Sequence, residues 1–141
     1  MDILIDASAI MAVILNEANK PAVLKLTKNK TLLSPDVISY EIGNALINLY
    51  KKRKITEVKL LEAYNEFLSI PIRSAKIDIE KALKIACKYE IYAYDAYYLE
   101  TAYRLKIPLL TFDDLMIKTG LKLRIDILDD TAEKEVNNES I

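Results

Sequence analysis

The chain has 141 residues, 52% of them hydrophobic, and a formal net charge of −1, enough for one packed core and too nearly neutral to point to a partner. It contains no histidine, two glycines and one cysteine. These counts exclude Ser-His-Asp triads, histidine bases, His-containing and multi-cysteine zinc sites, an internal disulfide and glycine-rich phosphate loops.

In chain order, "DILID" at 2–6 is a short β-rich run that stops at Asp6, and "ASAIMAVILNEA" after it is helical by composition. "TLLSP" at 31–35 is a second strand, Pro35-Asp36 starts a long helix through "DVISYEIGNALINLYKKRK", and Thr56 to Leu68 supplies another. "IPIRSA" at 70–75 is a third strand. Helix "DIEKALKIACKYE" follows, with Cys87 expected in the core, and then the tyrosine-rich helix within "YEIYAYDAYYLETAYRL" at 89–105. "IPLLTF" at 107–112 is a strand ending at Asp113, and "LKLRIDIL" at 121–128 reads as an edge strand. Residues 1–125 form the expected domain and 126–141 a polar, frayed or partner-dependent tail. No apolar run reaches the roughly 20 residues of a membrane span. Asp2 and Asp6 stand where a signal peptide would be basic, so a cytoplasmic location is expected.

Strands alternating with helices imply an α/β/α sandwich around a mainly parallel sheet, with ligands beyond the carboxyl ends of the strands. Asp6 and Asp113 sit at such ends, although an Asp there is also a favoured helix N-cap. At the helical period Ile38, Ile42, Ala45, Leu46 and Leu49 share one stripe of the 36–52 helix, with Glu41 at its border beside Asn44 and Asn48. In the 94–105 helix Tyr98, Leu99, Ala102 and Leu105 share a stripe with Asp95 near its middle. A carboxylate on a buried face must be paired or bind a cation, since an isolated buried charge costs several kcal/mol or more. Four acids converging on one crevice repel one another unless a hard divalent cation shares them. Mg²⁺ or Mn²⁺ held by carboxylates and waters suits phosphodiester hydrolysis without histidine. The basic run Lys51, Lys52, Arg53 and Lys54 fits either a solvated helix end or, with Arg73, a phosphate-contacting patch.

"ILIDASAI", "SPDVISYEIGNAL", "YDAYYLETA" and "PLLTFDDL" together resemble the PIN-domain nucleases, most closely the VapC-like toxins of toxin–antitoxin pairs, from about Ile3 to Met116. The resemblance implies a PIN-like three-layer sandwich, Mg²⁺- or Mn²⁺-dependent endoribonuclease activity, homodimers and a small protein antitoxin. It further implies that Asp6 and Asp95 are the principal metal ligands, that Glu41 and Asp113 complete the acidic cluster, and that Ser8 and Thr111 hold or orient it. Asp113 rather than Asp114 occupies the family's T-x-D position. A receiver domain fits less well, because Asp6 is followed by Ala-Ser and the third strand ends without an Asp. A housekeeping RNA-processing nuclease and a non-catalytic RNA- or protein-binding relative are the other readings.

Overall fold

The computed structural model describes residues 1–129. Four strands, β1 (Asp2–Ile5), β2 (Thr31–Pro35), β3 (Ile72–Ala75) and β4 (Leu109–Leu110), form an all-parallel sheet in the order β3-β2-β1-β4. Helices α1 (Ala7–Ile14), α2 (Lys20–Thr27), α3 (Val37–Lys51) and α4 (Glu57–Ser69) link the first three strands. Helices α5 (Ile79–Tyr89) and α6 (Ala93–Leu105) carry the chain from β3 to β4, and α7 (Asp114–Lys122) follows. The chain steps from β1 to β2 to β3 in one direction and then returns past both to β4 on the far side of β1. With right-handed crossovers, that reversal puts α1–α4 on one face and α5–α6 on the other. The packing agrees: α1 lies against α2, α3 and α4, whereas α6 lies against α5, α7 and strands β1 and β2. The expected three-layer α/β sandwich is the observed one.

The sheet is buried on both faces, so β1 reads as a continuous apolar run whose Ile3, Leu4 and Ile5 all lie in the core. Of the α3 stripe, Ile38, Ile42 and Leu46 are buried and Ala45 and Leu49 pack against the core. The α6 stripe buries Tyr98, Leu99 and Ala102, but Leu105 is exposed because it is the helix's last residue.

Four local expectations are corrected. The helix after Asp6 ends at Ile14, because Asn16 turns into a left-handed conformation (φ 53°), and a separate α2 begins with Pro21 in its first turn. The ladder of β4 is two residues long, not six. The "LKLRIDIL" segment is not a strand throughout: Leu121 and Lys122 close α7, and only Ile127 bridges to Leu109, flanked by hydrogen bonds Leu109 N to Asp126 O and Leu128 N to Leu109 O. Gly120 packs directly beneath Ile127, so a Cβ there would come within 2.8 Å of Ile127 Cδ1 and displace that side chain. Cys87 is exposed, because α5 fully buries only Ala82 and turns its other face to solvent. Of the expected tail, residues 130–141 lie outside the described residues. Among the described residues no helix is long and apolar enough to cross a membrane.

Candidate functional site

The direction of travel along the sheet reverses between β1 and β4. At such a switch point the following loops diverge and leave a crevice beyond the strand ends. Asp6 immediately follows β1, and its backbone N–H donates to Leu110 O of β4 at 3.2 Å. Its side chain is buried and held by three donors: Oδ1 accepts from Ser8 Oγ at 2.7 Å and Ala9 N at 3.1 Å, and Oδ2 accepts from the Thr111 hydroxyl. Both hydroxyls are themselves anchored, because Phe112 N donates to Ser8 Oγ at 2.9 Å and Asp113 N donates to Thr111 Oγ1 at 3.1 Å. Asp6 is therefore an N-cap and a crevice acid at once. A carboxylate offers about four lone-pair sites, and three donors leave one.

Asp113 caps α7 through Met116 N, which donates to Oδ1 at 2.8 Å, and leaves Oδ2 without a donor among the described residues. Asp95 sits in the first turn of α6, half-buried at the upper end of the apolar stripe rather than deep within it. It does not cap: Tyr92 holds the N-cap position and makes no side-chain cap bond. Glu41, on the second turn of α3, is half-buried and turns Oε1 into the protein.

These four acids act on one another's charge as a ring. Asp113 bears on Asp6 and Asp95, and Asp6 and Asp95 both bear on Glu41. Burial is the main cause that raises the pKa of each of Asp6, Glu41 and Asp95, and the neighbouring acids add to it. For Asp6 burial outweighs its three hydrogen bonds and lifts the carboxyl to about 6. Asp113 and Asp114 are both exposed, but only Asp113 bears on the charge of Asp6 and Asp95.

Among the described residues no Lys or Arg pairs with any of the four. The contrast with Glu100, on the same helix as Asp95, is instructive. Its buried carboxylate meets Arg104 Nε at 2.6 Å and accepts from Asp78 N at 3.1 Å, while Arg104 also reaches Lys76 O. An acid buried only for architecture receives a cation and a backbone donor; the crevice acids receive no cation. Beneath them lies a polar pocket that periodicity assigned to the core. Tyr98 Oη and Glu41 Oε1 each shift the other's ionisation, and Ser34 bears on Tyr98 as well. All three oxygens, Ser34 Oγ included, are buried without a well-formed hydrogen bond. The contact is thus polar proximity rather than a completed bond, and Tyr98 is held strongly in its neutral form by burial and then by Glu41. The only signal of this pocket in the sequence is Tyr98 lying three residues after Asp95, on the same helix face.

The donor set is all oxygen, which suits a hard cation. Among the described residues no three acids close into a metal cage. An open ring still fits Mg²⁺, which keeps several waters and takes one or two carboxylates together with substrate phosphates. Ser8 and Thr111 both donate to the Asp6 carboxylate. The basic run does not join the ring. Lys51 ends α3 about 15 Å along the helix from Glu41, and Lys51, Arg53 and Lys54 line a separate groove of about 820 Å³ at the α3–α4 turn. Arg73 is exposed on β3, beside Ser74, whose hydroxyl donates to Asp36.

An α/β/α sandwich that gathers uncompensated acids at its β1–β4 switch point has the architecture of an acid-cluster nuclease domain. The PIN domain family model matches residues 3–122, and the chain belongs to that family, whose members are generally nucleases using divalent metal ions. No curated protein matches significantly. Among solved structures, the chain is similar to PAE2754 from Pyrobaculum aerophilum (21% identity, 90% of this chain and 83% of that one, TM-score 0.68). It is also similar to VapBC2 from Rickettsia felis, bound to a DNA fragment from its promoter (14%, 91% and 98%, 0.66), and to FitAcB from Neisseria gonorrhoeae (15%, 90% and 96%, 0.58). At these identities the likeness is one of fold.

Proposed function

We propose that the protein is a Mg²⁺- or Mn²⁺-dependent endoribonuclease whose principal metal ligands are Asp6 and Asp95, with Asp113 and Glu41 completing the acid ring. The observation that carries this reading is the ring of four acids without a cation at the switch point of a PIN fold. A divalent ion bound there supplies charge for the scissile phosphate and acidifies water at neutral pH. Asp6 contributes a fixed oxygen, because Ser8, Thr111 and Ala9 N hold both carboxylate atoms and leave it one lone pair. Asp95 contributes its carboxylate and Asp113 its Oδ2, oxygens to which no group among the described residues donates. Glu41, with Oε1 buried near Tyr98, keeps Oε2 to accept a proton from the attacking water. Lys51–Lys54 and Arg73 contact RNA phosphates outside the acid ring.

The biological role we propose is that of the toxin of a VapBC-type pair, a cytoplasmic homodimer restrained by a small antitoxin; the VapBC2 and FitAcB likenesses support it. The test is direct. Purified protein cuts single-stranded RNA with Mg²⁺ or Mn²⁺ and stops with EDTA, and Asp6→Asn or Asp95→Asn abolishes cutting with native circular dichroism. Full activity in both variants refutes the mechanism, and binding without cutting in the wild type makes the chain a non-catalytic member of the family.

A further inference from the structure

Next to the acid ring the surface opens into a groove of about 440 Å³, within the range of small-ligand sites. Tyr40, Asn44 and Asn48, spaced by four on α3, line it together with Ser8 and Met11 of α1 and Tyr94 of α6. Glu41 and Ser8 belong both to this groove and to the acid site, so the two are one continuous surface.

Tyr40 is 76% exposed and Tyr94 54% exposed, two large rings that line one groove. Tyr94 makes an edge-on contact with Tyr97, with ring centroids 5.8 Å apart. Among the described residues the Asn44 and Asn48 side chains have no hydrogen-bond partner. Residues four apart on a helix are neighbours about 6 Å apart, so the two amides present donors and acceptors side by side. A partner helix would want a broad apolar floor, and this one has only Met11, Ala7 and Ala45. Exposed aromatic faces beside unpaired amides instead match an unstacked nucleobase, which stacks on a ring and is read along its polar edge.

We infer that this groove is a nucleobase subsite: a base flanking the scissile phosphate leaves its stack, packs against Tyr40 and Tyr94, and is read by Asn44 and Asn48. The inference rests on the nuclease reading for the identity of the polymer, and it confines the substrate to single strands or loops, since a paired base cannot enter.

The test uses the full chain carrying Asp6→Asn, with fluorescence anisotropy of labelled octamers of adenylate, of uridylate and of an abasic ribose-phosphate strand in Mg²⁺ at fixed salt. Tyr40→Ala and Tyr94→Ala each weaken the base-bearing octamers by roughly 5- to 150-fold, the range expected when one stacking partner is removed, and leave the abasic strand unchanged. Tyr40→Phe and Tyr94→Phe keep the ring and bind as the parent does. Equal weakening of the abasic strand, Phe variants as poor as Ala variants, or no weakening at all each overturns the subsite. So does a result in which the Ala variants bind RNA normally but lose a protein partner, because the groove is then a docking site. Wild-type protein that binds octamers in this ring-dependent way but never cuts them with Mn²⁺ refutes the nuclease function and leaves the subsite standing.

Discussion

Replacing Asp6 by asparagine in metal-free protein measures how much the acid ring costs the fold. The Asp6 carboxyl is 2% exposed, and burial lifts its pKa from 3.8 to about 6. Because the folded-state value is the higher one, the folded protein binds more protons than the unfolded chain between these two values. The associated stability is fully present below 3.8 and is lost as the pH rises through about 6. A tenfold change in acidity corresponds to about 1.4 kcal/mol, so at pH 7 the ionised carboxylate destabilises the apo fold by about 3 kcal/mol. Asparagine keeps an oxygen for Ala9 N and Ser8 and exchanges the charge-assisted Thr111 bond for a neutral one, a loss of about 1 kcal/mol. The net gain of about 2 kcal/mol raises the melting temperature in EDTA at pH 7 by roughly 5–10 °C for a domain of this size. Calorimetry from pH 4 to pH 7 shows wild-type stability falling with pH and the variant's staying flatter. Mn²⁺ at ten times its dissociation constant adds about 1.4 kcal/mol to the wild type and less to the variant. A variant that melts lower than wild type at pH 7, with native circular dichroism and an unchanged Mn²⁺ response, refutes the reasoning and leaves Asp6 as a helix cap alone.

Asp113→Asn lowers RNA cleavage far more than Asp114→Asn in a single-turnover assay, because only Asp113 belongs to the acid ring; the reverse ranking reassigns the site. Neutral substitution of Lys51–Lys54 reduces the magnitude of the salt dependence of RNA binding by somewhat under one unit for each phosphate no longer neutralised. An unchanged slope returns this run to a solvated helix end. Arg104→Ala leaves Glu100 buried with only backbone and hydroxyl donors and lowers stability by about 1–3 kcal/mol in urea titrations, with cleavage by the folded fraction unchanged. A stability cost no larger than that of an ordinary surface substitution shows that the pair contributes little.

The elements themselves were readable from local pattern. Apolar runs bounded by Asp, Pro or Lys marked the strands, and periodicity on the 36–52 helix identified Ile38, Ile42 and Leu46 as its core face. Those signals work because burial on a sheet or a helix stripe imposes a period that few residues can disguise. They failed where a single backbone turn or a distant neighbour decided the outcome. Asn16 in a left-handed conformation separates α1 from α2 without any break in composition. Cys87 is outside because of what α5 packs against, and Leu121 and Lys122 belong to α7 while only Ile127 of that segment reaches β4. The sequence alone supplied the acids and, through their flanking residues, a family resemblance. It did not bring the acids together, since Asp6, Glu41, Asp95 and Asp113 are joined only by the strand order β3-β2-β1-β4, a relation between distant segments. Nor did it separate Asp95 from Glu100, two acids on one helix. Only the tertiary structure gives Glu100 its Arg104 and Asp78 N–H while leaving Asp95 facing other acids, because a carboxylate's role is decided by the charges that reach it in space.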